Sequence, residues 1–303
     1  MENGVWLSFI EIKHLPLQHN YDEIDVKSNE MQLIDVRKVI AAKSPKLAKR
    51  LPTFVFSWLE RIIEQDKLND LYSKVYQYEG ADISRNIIKE YNIGLTAHGM
   101  ESLDPSGRYL LASNHPLGGM DGICLSSLTS DYFEEVHFLV NDLLTIALPG
   151  YRGHFIPVNK TGGQSRAIAE GVKEAFAAQG QLFTFPAGLV SRKQKGKICD
   201  MEWKKTFVTK ARESKRDIVP IFFQGTNSAF FYNFCWWRKR LGIKINLDMV
   251  LLPRELTQTK NSKFDVYFGT PIPWQSLDAS LTDQQWAERI KEAAYALPNQ
   301  YNQ

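Results

Sequence analysis

With 303 residues, 44% hydrophobic and 23% charged, the chain has the composition of an ordinary folded protein and not of a disordered or fibrous one. A net charge of +3 gives no whole-chain argument for nucleic acid, and no run of about eighteen apolar residues exists to span a bilayer. The three cysteines, Cys124, Cys199 and Cys235, are far apart and lack metal-ligand spacing, so a reducing compartment is expected and no metal site is.

The opening stretch "MENGVWLSFIEIKHLP" carries acidic residues and only a short apolar run, so it does not read as a signal peptide. Residues 1 to about 29 read as irregular. From Asn29 to Tyr91 the apolar spacing is helical: "NEMQLIDVRKVIAAKS" stops at Ser44-Pro45. "LPTFVFSWLERIIEQDKLNDLYSKVYQYEG" runs from Pro52 to a stop near Gly80, and "ADISRNIIKEY" follows. These residues, 1–91, are expected to form an N-terminal helical subdomain acting as a lid or substrate-side element.

From Ile93 the rhythm changes to short strands and helices, implying an α/β domain over 92–303. The candidate strands are "IGLTAHG", "RYLLASN", "VHFLVN", "HFIPVN", "QLFTF", "IVPIFF" and "FDVYFG". Helices are predicted over 121–130, 141–147, 162–179, 203–214, 228–241 and 281–296.

The stretch "SNHPLGGMDG" (residues 113–122) follows one of these strands and holds one of only six histidines. His115 and Asp121 are six positions apart, about 240° around a helix, so they cannot share a helical face. A turn at Gly118-Gly119 is needed to bring them together. Asp121 then falls where a helix begins, a favourable N-cap position. Two readings stand side by side: a glycine turn with a capped helix and a bystander histidine, or a general base whose tautomer a carboxylate fixes.

Three further stretches carry chemistry. "GHFIPVNKTGG" ends a strand on Asn159 and Lys160 before a glycine turn, a candidate anion site. "QLFTFPAGLVSRK" runs from an apolar strand into Pro186, Gly188, Ser191 and Arg192, at a sheet end where open α/β sheets place ligands. "DIVPIFFQGT" is a buried strand whose Pro220 argues for an edge or a bulge. From Ser191 to Asp217 ten Lys or Arg face four Asp or Glu. That local field suits a solvated face, or an acidic partner such as a phosphate, anionic lipid or acidic carrier protein. "AFFYNFCWW" is either core or an interfacial cluster, since Trp and Tyr favour the membrane interface.

Taken in order, these four stretches resemble the glycerolipid acyltransferase superfamily, whose pattern runs NHxxxxD, a strand ending in an Arg-containing turn, FPEGTRS, then a VP[IV] strand. The similarity covers Ile93 to Trp274, including the late "VYFGTPIP". "NHPLGGMDG", with five residues between His and Asp where the superfamily has four, is similar to bacterial ornithine-lipid and glycine-lipid type acyltransferases. The superfamily's Glu aligns with Ala187, its two arginines with Val190 and Lys160, and Lys does not replace a bidentate Arg fork.

The resemblance implies a mixed central sheet flanked by helices. It also implies acyl transfer from an acyl carrier protein or coenzyme A thioester, as co-substrate and without a further cofactor, to an amino-acid or amino-lipid acceptor. His115 would be the general base and Asp121 its orienting partner. Asn114, Lys160, Pro186, Gly188 and Arg192 would bind substrate, and N–H groups around Gly188 and Leu189 would meet the oxyanion. The implied setting is cytoplasmic, peripheral to the inner membrane, with a lipid surface as partner and no nucleic acid. Lysophospholipid O-acylation, hydrolysis through Ser113 or a water, and a non-catalytic lipid- or carrier-binding role are the alternatives.

Overall fold

A computed structural model describes residues 35–43, 45–141, 148–158, 166–242 and 248–301. Their helices are α1 (Val36–Lys43), α2 (Pro45–Arg50), α3 (Thr53–Ile62), α4 (Gln65–Val75), α5 (Ala81–Glu90), α6 (Met120–Tyr132), α7 (Arg166–Ala177), α8 (Thr206–Ser214), α9 (Ala229–Arg240), α10 (Asp248–Thr257) and α11 (Asp283–Tyr301). The strands are β1 (Gly94–His98), β2 (Tyr109–Ser113), β3 (Val136–Asn141), β4 (Phe155–Val158), β5 (Gln181–Thr184), β6 (Arg192–Gln194), β7 (Lys197–Cys199), β8 (Asp217–Phe223) and β9 (Lys263–Phe268). The chain divides into two compact units. One comprises residues up to Gln77 with Ala229–Gln258, the other Tyr78–Ser228 with the chain from Thr259.

The first unit is helical. Glu64, at φ 53°, breaks the segment that reads as continuous into α3 and α4. In α4, Leu68, Leu71 and Val75 recur at helical spacing and are buried. Helix α9 is two-sided: Phe231, Tyr232 and Cys235 are buried, whereas Phe230, Trp236 and Trp237 are exposed. The "AFFYNFCWW" stretch is thus partly core and partly surface. Helix α10 is absent from the sequence reading because Pro253, a breaking signal, lies inside it.

The second unit holds a seven-stranded sheet in the order β1-β9-β8-β2-β5-β3-β4. Every pairing is parallel except β8 with β9. All seven candidate strands occur in it, and the sheet is mixed and flanked by helices. Strand β2 is buried along its whole length, as expected for a central strand covered on both faces. Leu110, Leu182 and Ile218 form the core with Trp203 and with Ala287, Ile290 and Ala294 of α11. The hairpin β6–β7 was not predicted; three-residue strands rich in lysine carry no apolar alternation.

Pro220 is not at an edge, because β8 lies between β9 and β2. The bulge is what the structure contains. Ile221 pairs with Phe268 and Ile218 with Ile272, one more residue on the partner segment than on β8. The Pro220 carbonyl accepts the Gly269 N–H at 2.9 Å. The missing donor falls on that same side, leaving the pairing with β2 intact.

Helix α5, placed by sequence with the N-terminal helices, belongs to the sheet unit and packs on α6. A buried polar chain joins them: Ser84 Oγ meets Tyr151 Oη at 2.9 Å and Ser126 Oγ at 3.0 Å, and Ser126 Oγ meets His154 Nε2 at 2.8 Å. Burial, then the charges of His137 and Arg85, push the His154 imidazole down to about 4. A depressed histidine contributes stability that is present above its unfolded value, about 6.5, and lost as pH falls through the folded one. Unfolding free energy is therefore expected to drop by about 3 kcal/mol between pH 6.5 and 4 on this account. Urea titrations of wild type and His154→Gln across that range check it. A wild-type advantage that does not shrink on acidification would refute it.

One buried cation is structural. Arg216 donates to the carbonyls of Gly180 at 2.7 Å and of Tyr109 and Ala175 at 3.2 Å, closing the C-terminal end of α7. It therefore takes no part in the basic surface that the sequence suggested.

Candidate active site

The site forms where β2 and β5, adjacent and parallel, end side by side. The chain leaving β2 runs through α6 toward β3 on one side of the sheet order, and the chain leaving β5 runs through β6, β7 and α8 to β8 on the other, so both departing loops border the ends of these two strands.

After β2, Gly118 adopts φ +80° and reverses the chain; Gly119 stays at negative φ. His115 Nδ1 then meets Asp121 Oδ2 at 3.0 Å. Asp121 is not the N-cap that the sequence suggested. It is the second residue of α6, and its carboxylate reaches back into the turn. Oδ2 also accepts the N–H of Leu117 at 2.8 Å and of Gly118 at 3.2 Å, while Oδ1 accepts that of Gly122 at 2.8 Å. Burial works to raise this carboxyl, but the His115 charge and these donors outweigh it and hold it below the ordinary carboxylate value.

Three histidine–carboxylate pairs occur among the described residues, and this one differs from the rest. The Asp121 side chain is 0% exposed, against 44% for Asp265 beside His98 and 56% for Glu135 beside His137. An ionised carboxylate can only accept, so Nδ1 carries the proton and Nε2 presents its lone pair. Nε2 has no partner among the described residues, and the ring is partly exposed. This is the geometry of a general base held in one tautomer.

A second carboxylate, which the sequence reading missed, anchors the same loop. Asp200 Oδ1 accepts the His115 N–H at 3.2 Å and the Ser191 hydroxyl at 2.5 Å, and Oδ2 accepts Trp203 Nε1 at 2.9 Å. Its own N–H donates to Tyr295 Oη at 2.8 Å. Burial raises its pKa despite these donors. The one signal in the sequence was an Asp within a run of cations, three residues before a Trp.

The loop after β5 closes the other side. The Ser191 N–H donates to the His115 carbonyl at 2.8 Å, and the Phe185 ring stacks on the imidazole at 4.0 Å between centroids. Asn227 Nδ2 holds the Pro116 carbonyl at 3.1 Å. Among the described residues no group of three or more His, Cys, Asp or Glu is placed to hold a metal.

A family profile described as "Acyltransferase" matches residues 38–303. The chain belongs to that acyltransferase family. It is 42% identical over 266 residues to the lyso-glycine lipid O-acyltransferase of Bacteroides thetaiotaomicron, covering 88% of this chain and 97% of that protein. The protein of the same name from Phocaeicola vulgatus is also 42% identical, over 88% of this chain and 95% of its own. The crystal structure of the 1-acyl-sn-glycerophosphate acyltransferase PlsC from Thermotoga maritima is similar at a TM-score of 0.46 and 12% identity, over 86% of this chain and 93% of that one.

The other site residues expected for the acyltransferase fall into distinct places. Asn114 is buried, and its amide both donates to the Phe223 carbonyl at 3.0 Å and accepts the Phe223 N–H at 2.6 Å, so it ties the end of β2 to β8. Pro186 is buried, and its carbonyl accepts the Lys204 N–H at 3.1 Å. Gly188 takes φ +64°, but its N–H is bonded to the Phe185 carbonyl at 2.9 Å, which removes it as the expected oxyanion donor. Arg192 Nη1 donates to the carbonyls of Val190 at 2.8 Å and Ser191 at 3.2 Å. Lys160 lies outside the described residues, as does the helix expected over 141–147 except for its first residue, Asn141, which ends β3. Ala187 and Val190, where the superfamily carries Glu and Arg, are both buried and apolar. Ser113 Oγ is buried and donates to the Asn114 carbonyl at 2.9 Å, with no hydrogen bond to His115 among the described residues.

Proposed function

We propose that this acyltransferase moves a fatty acyl chain from a thioester to the hydroxyl of a lyso-amino-lipid of the glycine-lipid type. The observation that carries the reading is the 42% identity, across nearly the whole of each relative, to two lyso-glycine lipid O-acyltransferases. The His115–Asp121 pair supplies the chemistry. His115 Nε2 takes the proton of the acceptor hydroxyl as its oxygen attacks the thioester carbonyl. The tetrahedral intermediate expels the thiolate, which receives that proton back from the imidazolium. The attacking oxygen belongs to the acceptor, so no acyl-enzyme forms. The intermediate's oxyanion faces the turn after Pro186, where Gly188 is already bonded and the next N–H, that of Leu189, is the donor offered. The donor is an acyl carrier protein or coenzyme A thioester.

The acceptor is a membrane lipid, so the enzyme works as a peripheral protein. Among the described residues no helix is long and apolar enough to cross a membrane. The exposed large apolar side chains favour the helical unit, which carries Phe54 and Trp58 on α3 and Trp236, Trp237 and Leu241 at or just after the basic last turn of α9. Tryptophan beside cationic side chains suits the lipid interface.

A phosphate-bearing acceptor calls for an Arg fork, and buried Ala187 and Val190 stand where the superfamily offers charge. In a competition between lyso-glycine lipid and lysophosphatidate at equal concentration, acylation of the former is expected to be the faster by about 10-fold or more, the effect of one well-placed ionic contact. Faster acylation of lysophosphatidate would overturn the reading.

A further inference from the structure

We infer that the hairpin β6–β7 is the docking surface for the acyl donor, and that the donor it receives is an acidic carrier protein bearing the thioester. This rests on the acyl-transfer reading above and adds the partner.

The hairpin closes at Lys195 and Gly196, both at positive φ, a two-residue turn of the type that matches strand twist. It raises Lys193, Lys195 and Lys197 into solvent. Lys204 and Lys205, just beyond, are also exposed. None of these five ammonium groups has an ion pair or hydrogen bond among the described residues, whereas Lys210 pairs with Glu213 and Arg212 with Asp283. The basic field read from the sequence thus resolves into a neutralised helix and an unneutralised ribbon.

The ribbon is tied to the chemistry. Gln194 Nε2 donates to the Asp200 carbonyl at 2.9 Å, and the Asp200 carboxylate holds both Ser191 and the His115 N–H. The base of the hairpin and the loop bearing the general base therefore share one buried anchor. A carrier seated on the lysines would deliver a thioester on its flexible arm beside His115.

Three features favour a protein partner. The cations are lysines on a projecting two-stranded ribbon, suited to an extended acidic surface more than to a compact phosphate. Exposed Leu189, Ile198 and Met201 lie among them, giving the apolar contacts that a protein interface needs. Exposed tryptophans, which mark a lipid interface, are absent from this region and occur among the described residues at Trp58, Trp236 and Trp237 of the other unit.

The test is a triple substitution, Lys193→Glu with Lys195→Glu and Lys197→Glu, in the full chain. These side chains are exposed and unbonded, so the unfolding temperature should be kept. Binding of purified palmitoyl-acyl carrier protein, followed by fluorescence anisotropy, should weaken on the order of 10–100-fold, and the wild-type affinity should fall as the screening length shrinks with added salt. Turnover with an uncharged small thioester, palmitoyl-N-acetylcysteamine, should change by less than about 3-fold, since it offers the lysines no charge to hold. Three results would overturn the inference: no carrier binding by the wild type, equal losses with both donors, or a loss confined to binding of phosphatidylglycerol vesicles. Carrier binding that depends on the lysines, without acylation of the lyso-amino-lipid, would keep the docking surface and reject the acceptor.

Discussion

His115→Ala is expected to lower kcat by about 10²–10⁴-fold, the usual contribution of a positioned general base, while the chain stays folded and the acceptor KM stays close to wild type. The fold tolerates the change because the ring is partly exposed and its loop is held by other groups. The backbone N–H of His115 is fixed by Asp200 and its carbonyl by the Ser191 N–H. Removing the ring leaves both bonds in place. Rate is what should be lost, because the proposed mechanism makes Nε2, which has no other partner among the described residues, the acceptor of the substrate proton. Single-turnover acylation with excess enzyme reads the chemical step directly. A folded His115→Ala protein acylating at more than about a tenth of the wild-type rate would rule out this mechanism.

Asp121→Asn is expected to damage both activity and stability. The carboxylate accepts from four groups: His115 Nδ1 and the backbone N–H of Leu117, Gly118 and Gly122. An amide offers one oxygen and one NH₂ in place of two oxygens. With the oxygen kept toward His115, the NH₂ opposes the Gly122 N–H. With it turned away, the NH₂ opposes three donors and drives the imidazole proton to Nε2, destroying the base. Either orientation leaves a buried donor unsatisfied, a loss of about 1–3 kcal/mol. The kcat loss is expected to be about 10²-fold or more, through the wrong tautomer.

The pH dependence distinguishes this from a general packing defect. Asp121 is depressed below its ordinary value, so its contribution to stability is present above the unfolded carboxyl value, about 3.9, and is lost as pH falls through the lower folded one. The gap in unfolding free energy between wild type and Asp121→Asn should therefore narrow below about pH 4. A gap that stays constant under acid would show that the carboxylate's charge plays no part.

The sequence by itself determined the seven strands of the sheet, because apolar runs bounded by glycine, proline and polar residues leave a central strand little alternative. It also marked His115 and Asp121, since a histidine and a carboxylate separated by a glycine turn after a strand have one geometry that joins them. Boundaries governed by long-range contacts were out of its reach. Helix α5 has the same amphipathic period as its N-terminal neighbours, and its packing on α6, with Ser84 bonded to Ser126 and Tyr151 and Arg85 paired with Asp131, assigns it to the sheet unit. The bulge beside Pro220 was legible as one of two alternatives, and the position of β9 chose between them. Asp200 lies 85 residues from the histidine whose N–H it holds, too far along the chain for any local pattern to connect the two. The same holds for charge: ten cations in a row of 27 positions look alike in one dimension. Burial of Arg216 and the pairing of Lys210 and Arg212 separate structural cations from those left facing solvent, because a cation is neutralised by what lies beside it in space.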